Sequence, residues 1–152
     1  MEALYHNPET LPHVEVPDTY HHVPNIDLVL SVNLASQLPI SPLKYLKHTM
    51  SHDEYALEQF AKNLMVAHFT WLSNFTCATA LICDKAWETL DVNGKLIEKH
   101  DPLHGLISQA ATKEWDWEVE PRHETGSERS RRNRVGYWPN FRFTTAEDLS
   151  VR

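Results

Sequence analysis

Apolar residues recur along this chain with two different periods, and each change of period marks an element. Ile26, Leu28, Leu30, Val32 and Leu34 alternate with Asp27, Val29, Ser31 and Asn33. That period of two predicts a strand with one buried face. At Ser41-Pro42 a hydroxyl N-cap precedes a proline at the first helical position, and Leu43, Leu46 and Met50 then take helical spacing. This predicts a short helix ending near Met50. Ser51-His52-Asp53-Glu54 has the form of a capping box. Beyond it Leu57, Phe60, Ala61, Leu64, His68, Trp71, Leu72 and Phe75 trace one helical face. The pattern runs on through Ala78, Ile82 and Ala86, and after residue 64 both sides are apolar. It predicts a core helix over 52–72 within a central, buried apolar helix pair, with Ser73-Asn74 as a break point. Asn93-Gly94 closes the segment with a turn.

Asp101-Pro102 repeats the cap-plus-proline signal, and Leu103, Leu106, Ile107 and Ala110 predict a further short helix. The period then returns to two. In Glu114-Trp115-Asp116-Trp117-Glu118-Val119-Glu120 acid and apolar residues alternate without exception. A strand sorts these into an acidic and an apolar face, whereas a helix would scatter them. Residues 121–133 hold no apolar side chain beyond Pro121 and read as an exposed loop, the arginine-rich segment as a whole spanning 121–134. Phe141-Arg142-Phe143 resumes the alternation, so 135–145 is a second candidate strand. Paired with 114–120, it would set Arg142 or Arg134 against the acidic face. Ahead of all this, Pro8, Pro12, Pro17 and Pro24 keep residues 1–24 extended. The expected architecture is α+β: an N-terminal arm over 1–24, then one domain over 25–152 with a central buried helix pair and a small antiparallel sheet.

Charge divides the chain more sharply than hydropathy does. The first 43 residues carry five acids and no Lys or Arg, and all seven arginines lie at or beyond Arg122. The net charge of −7 divides as about −5, −5 and +3 over residues 1–43, 44–121 and 122–152. Such a field speaks of partners rather than of fold. Cys77 and Cys83, six apart on the expected helix, are poorly placed to bond, which points to two reduced, structural thiols and a cytoplasmic setting. The first residues lack a charged-then-apolar pattern, so a secretory signal is not expected. Met65 to Cys83 lacks Asp, Glu, Lys and Arg, but its His68, Thr70, Ser73, Asn74, Thr76 and Thr79 favour a helix in a protein core over a membrane span.

Ten histidines raise the question of a metal. His48 and His52, and His100 and His104, each straddle an expected helix start and so share no helix face. No HExxH or CxxC is present, and neither metal nor cofactor is expected. No G-x-S-x-G and no phosphate-cradling glycine loop occurs. His68, between Leu64 and Trp71 on the apolar stripe, is first a core histidine; as a catalyst it would need a carboxylate brought from elsewhere.

The remaining candidate is basic and aromatic. Arg129, Arg131, Arg132, Arg134 and Arg142, with Trp138, form an expected partner-binding group. Arginines of this kind take carboxylates bidentately and are enriched at interfaces. The expectation is a non-enzymatic interaction or assembly protein that uses the arginine-rich segment and the arm to bind an acidic protein surface, a second copy of the chain included. A small enzyme built on His68 is the alternative. A nucleic-acid binder using the same arginines and aromatics is the third reading, weakened by the acidic isoelectric point near 5.8.

Overall fold

The computed structural model describes residues 11–49, 53–121, 126 and 128–144. Strands β1 (Leu28–Val32), β2 (Ala78–Leu90), β3 (Leu96–His100), β4 (Lys113–Glu120) and β5 (Ser130–Pro139) form one mixed sheet. Helices α1 (Ile40–Thr49) and α2 (Glu54–Ser73) precede all but the first strand. The architecture is mostly sheet, which corrects the expected central helix pair with a small antiparallel sheet.

The correction turns on one stretch. The apolar run after residue 64 is not one long helix. Helix α2 ends at Ser73, where the Asn74 amide donates back to the carbonyls of Thr70 and Trp71. From Ala78 the chain is strand β2, 13 residues long and at the centre of the sheet. A fully buried strand and a buried helix give the same unbroken apolar run, so periodicity alone does not separate them. The β-branched Thr79 and Ile82 favour the strand.

The short helix expected after Asp101-Pro102 is also absent. Asp101 does cap, its carboxylate accepting from the amides of Leu103 at 2.9 Å and Gly105 at 2.8 Å. But His104 and Gly105 both take left-handed backbone, with φ of 51° and 73°, and a right-handed helix cannot propagate through them. Leu103 is still buried in the main core.

Strand β5 pairs antiparallel with both β2 and β4, and β1 pairs parallel with β2. The acid–apolar alternation of residues 114–120 therefore forms a strand, opposite residues 131–137. Ser130–Arg134, expected in an exposed loop, are the first half of β5. Because β5 runs along β2 from Ala80 to Leu90, β1 and β3 share the other edge of β2. A tight turn joins β2 to β3: Asp91 accepts from the amides of Asn93 and Lys95, and Gly94 sits at φ 77°.

Helix α2 covers one side of the sheet, and α1 packs on α2. Met65, Phe69 and Leu72 of α2 pack on Leu81 and Cys83 of β2, Trp138 of β5 and Phe141. A second cluster joins Leu46 of α1 to Leu57 and Phe60 of α2, and Leu11 and Val14 of the arm lie against it. Leu64 and Trp71, expected in the core with Phe60, are half-buried. The arm is tied down further along: Trp71 donates its indole N–H to the Thr19 carbonyl at 2.9 Å, and His21 meets the Trp71 carbonyl at 3.0 Å. Helix α2 begins after Asp53 as its N-cap residue. Met50, Ser51 and His52 lie outside the described residues, as do arm residues 1–10, Arg122 and residues 145–152.

Candidate functional site

Residues opposite one another in a ladder share a face, so the register sorts the sheet into two. One face carries Val29, Ser31, Leu81, Cys83, Gly136 and Trp138, and this is the face α2 covers. The other carries Leu28, Leu30 and Val32 on β1, Ile82, Asp84 and Trp87 on β2, Tyr137, Val135 and Asn133 on β5, and Trp115 and Trp117 on β4. Among the described residues no helix packs on this second face. Leu28, Leu30 and Val32 are more than half exposed, Trp115 is 43% exposed and Trp117 53%. The alternation in β1 thus holds, but its apolar set faces outward and its buried set is Val29 and Ser31.

Two depressions lie on the open face. Val32, Asn33, Ile82, Trp115, Trp117 and Val135 line an apolar groove of about 420 Å³. Toward the other end, Trp87, Thr89, Glu98, His100, Glu120, Arg129 and Arg131 line a polar one of about 560 Å³. The His100 ring stacks on Trp87 at 5.4 Å. The two depressions are joined by one ladder row, Trp87–Asn133–Trp117. Beneath that row sits Asp84, 1% exposed. Its Oδ2 accepts from Trp87 Nε1 at 2.9 Å and Asn133 Nδ2 at 3.0 Å, with the Ser36 hydroxyl at 3.5 Å. The carboxylate thereby fixes the indole of Trp87 and the amide of Asn133. Among the described residues Asp84 Oδ1 and Asn33 Oδ1 are buried acceptors without a hydrogen bond. Such groups are rare, because each forgoes about 1–3 kcal/mol of solvation.

The arginines expected to bind a partner are placed unevenly. Arg129 and Arg131 line the polar depression of the open face. Arg131 also holds Glu120 at 2.8 Å. Arg132 and Arg134 point from the helix side of the sheet into the chain's own carboxylates. Arg132 meets Glu88 at 2.7 Å and Asp116 at 3.4 Å, and Arg134 meets Asp116 at 3.2 Å. Hydrogen bonding to Asp116 holds the Arg134 guanidinium above its ordinary pKa. Glu88 is nearly enclosed and also faces Lys99 at 3.8 Å. Lys85 and Glu114 complete this ladder. Arg142 donates to Thr79 Oγ1 at 2.6 Å and to the Phe141 carbonyl at 2.8 Å, tying the chain after β5 back to β2. Trp138 is 1% exposed, with its indole N–H on the Gln109 carbonyl, and has no surface to offer.

His68 is buried and sits 2.7 Å from the Ser31 hydroxyl through Nε2. A hydroxyl beside an imidazole resembles an activated nucleophile. Here neither group lines any of the depressions described, and among the described residues no carboxylate hydrogen-bonds to either. Burial lowers the His68 pKa. The pair ties the centre of α2 to β1. Cys77 and Cys83 are both free thiols, and burial pushes Cys83 up to about 12. Cys77 lies just before β2 and Cys83 within it, rather than both on one helix. His100 and His104 come within 6.1 Å, ring to ring, while His104 faces Glu58 at 3.7 Å. Among the described residues no group of three His, Cys, Asp or Glu is placed to hold a metal, and no helix is long and apolar enough to cross a membrane.

Sequence reasoning missed the open face. Trp115 and Trp117 were legible as one face of a strand, but an alternation does not say which face is covered. Comparison with family models, with characterised proteins and with solved structures gives no match, so the open face is interpreted from its own chemistry.

Proposed function

We propose that the protein is a non-enzymatic interaction subunit that binds another protein through the open face of its sheet. One observation carries this reading: Trp115 and Trp117 stand half-exposed beside the apolar groove, on the same face as Leu28, Leu30 and Val32. Aromatic anchors at the centre of a patch, with arginine nearby, are the usual anatomy of a binding hot spot. Arg129 and Arg131 supply the polar end, where carboxylates of an acidic partner surface would dock. The arm contributes indirectly, by packing on α2 and bracing the sheet from behind. Arg132, Arg134 and Arg142 act within the chain, through Glu88, Asp116 and Thr79.

Replacing Leu30 with a photo-crosslinking residue tests this in native extract. The expected result is a discrete protein adduct that is lost when Trp117→Ser is added and weakens as salt rises. The same probe at Tyr55, on the helix side, should give no such adduct. A nucleic-acid adduct at position 30 would transfer the face to the third reading, and no adduct at all would contradict a binding role for it.

A further inference from the structure

The occupant of the open face follows from how its residues are distributed. Resting on the reading above, we infer that the partner is a second copy of this chain, packed face to face about a two-fold axis running along the strands. An interface between identical copies about a two-fold must be self-complementary. On this face the apolar residues gather at one end (Leu28, Leu30, Val32, Ile82), and the charged ones at the other (Glu98, Arg129, Arg131, Glu120). A two-fold axis across the strands would lay Leu28 and Leu30 on Glu98 and Arg131. An axis along the strands keeps apolar end on apolar end. It also exchanges left for right, so the β1/β3 side of one copy lies over the β5/β4 side of the other. Leu30 and Val32 then reach toward the groove beside Trp115, and Trp117 faces the stacked Trp87–His100 pair. Glu98 falls on the side that carries Arg129 and Arg131. Two sheets stacked this way pack about 10 Å apart with strands nearly aligned.

The areas agree with this assignment. Leu28, Leu30, Val32, Trp115 and Trp117, each about half exposed, present on the order of 500 Å² of apolar surface, most of the ~800 Å² per partner that a standard interface buries. Joining copies edge to edge does less. The β4 edge carries Glu114, Asp116, Glu118 and Glu120, and pairing it with itself would set carboxylates against carboxylates. The β1 edge is uncharged but only five residues long, and pairing there would leave both tryptophans exposed.

The experiment is sedimentation equilibrium on the purified 152-residue chain over a wide concentration range. The expected species has twice the 17.6 kDa chain mass. Leu30→Asp and Trp117→Asp, on opposite sides of the face, should each yield a monomer whose melting profile matches the parent's at concentrations too low for association. Glu98→Arg and Arg131→Glu should each weaken self-association about tenfold through like charges at the rim. Mixed together, those two chains should recover it as a heterodimer, because opposite charges again meet across the two-fold. A dimer that loses its stability with Leu30→Asp but survives Trp117→Asp would place the contact at the β1 edge and overturn the arrangement, as would mixing without recovery. If the parent stays monomeric at every concentration while the position-30 adduct forms in extract with a different protein, the second copy is excluded and the binding face stands. If neither forms, both readings fail.

Discussion

The two faces of the sheet are built from similar residues and meet different fates. On the covered face Leu81, Cys83 and Trp138 are enclosed by Met65, Phe69 and Leu72 of α2. On the open face Leu28, Leu30, Val32, Trp115 and Trp117 are as apolar and remain about half in water. The difference lies in the supply of partners among the described residues: the long helix α2 covers one side, with α1 packed on it. Hydrophobicity therefore marks both faces as places to be buried; on the second, folding encloses Val135 and Asp84 at the centre and leaves Leu28, Leu30, Val32, Trp115 and Trp117 about half in water. The lower part of the covered face makes the complementary point. There Glu88, Arg132, Asp116 and Arg134 pair with one another, so a basic segment that looks free in sequence is largely absorbed by the fold.

If the faces divide folding from binding, substitutions should separate by face. The largest effect belongs to Phe69→Ala in the covered core, which should cost about 3–5 kcal/mol in denaturant unfolding. A loss under about 1 kcal/mol would place Phe69 outside the core. Next comes Gly136→Ala. An added Cβ would stand 2.4 Å from the Trp138 ring and 2.8 Å from the Lys85 stem, so the indole packed across this glycine must move. A loss of about 1–3 kcal/mol is expected from the overpacking. Calorimetry showing an unchanged melting temperature would mean that the covered face tolerates displacement of its largest side chain.

The third test uses pH. Burial holds the folded-state pKa of His68 below its ordinary value, so the unfolded chain binds a proton that the folded chain refuses. Stability from this source is full above about pH 6.5 and is lost as pH falls through the depressed value. His68→Gln keeps a hydrogen-bonding group near Ser31 and removes the titration. Its stability should fall less than the parent's between about pH 7 and about pH 5. An equal fall in both proteins would assign the acid sensitivity to other groups. The smallest effect is expected on the open face. Leu30→Ala and Val32→Ala should each change monomer stability by no more than about 0.5 kcal/mol, when measured at concentrations too low for association. A core-sized loss from either would erase the distinction between the faces.

Elements with unambiguous periods were legible in the sequence. The acid–apolar alternation of residues 114–120 gave β4, while its partner, expected over 135–145, lies at Ser130–Pro139, and Asn93-Gly94 marked a turn. Although the helical spacing runs on through Ala86, the end of helix α2 at Ser73 matches the break point at Ser73-Asn74, and its first turns were legible because its stripe has polar gaps up to about residue 64. The chain after it was not, because Thr79-Ala80-Leu81-Ile82-Cys83 is apolar on every side and fits either a buried helix or a central strand. The site was harder still. Alternation shows that β1 and β4 have two unlike faces, but which face meets a helix depends on long-range packing. In β1 the outcome is the reverse of the simple expectation, with Ser31 inside against His68 and Leu30 outside. The arginines were visible as a cluster, yet their carboxylate partners lie on β2 and β4, far off in sequence.

Hydroxyl-radical footprinting tests the central claim most directly. Tyr55, 67% exposed on the helix side, serves as the internal reference for Trp117 at 53%. In dilute purified protein both should be oxidised readily. In concentrated protein or native extract, Trp115 and Trp117 should become protected while Tyr55 stays reactive. Trp117 remaining as reactive as Tyr55 under every condition would contradict the account, since the open face would then be exposed surface without an occupant.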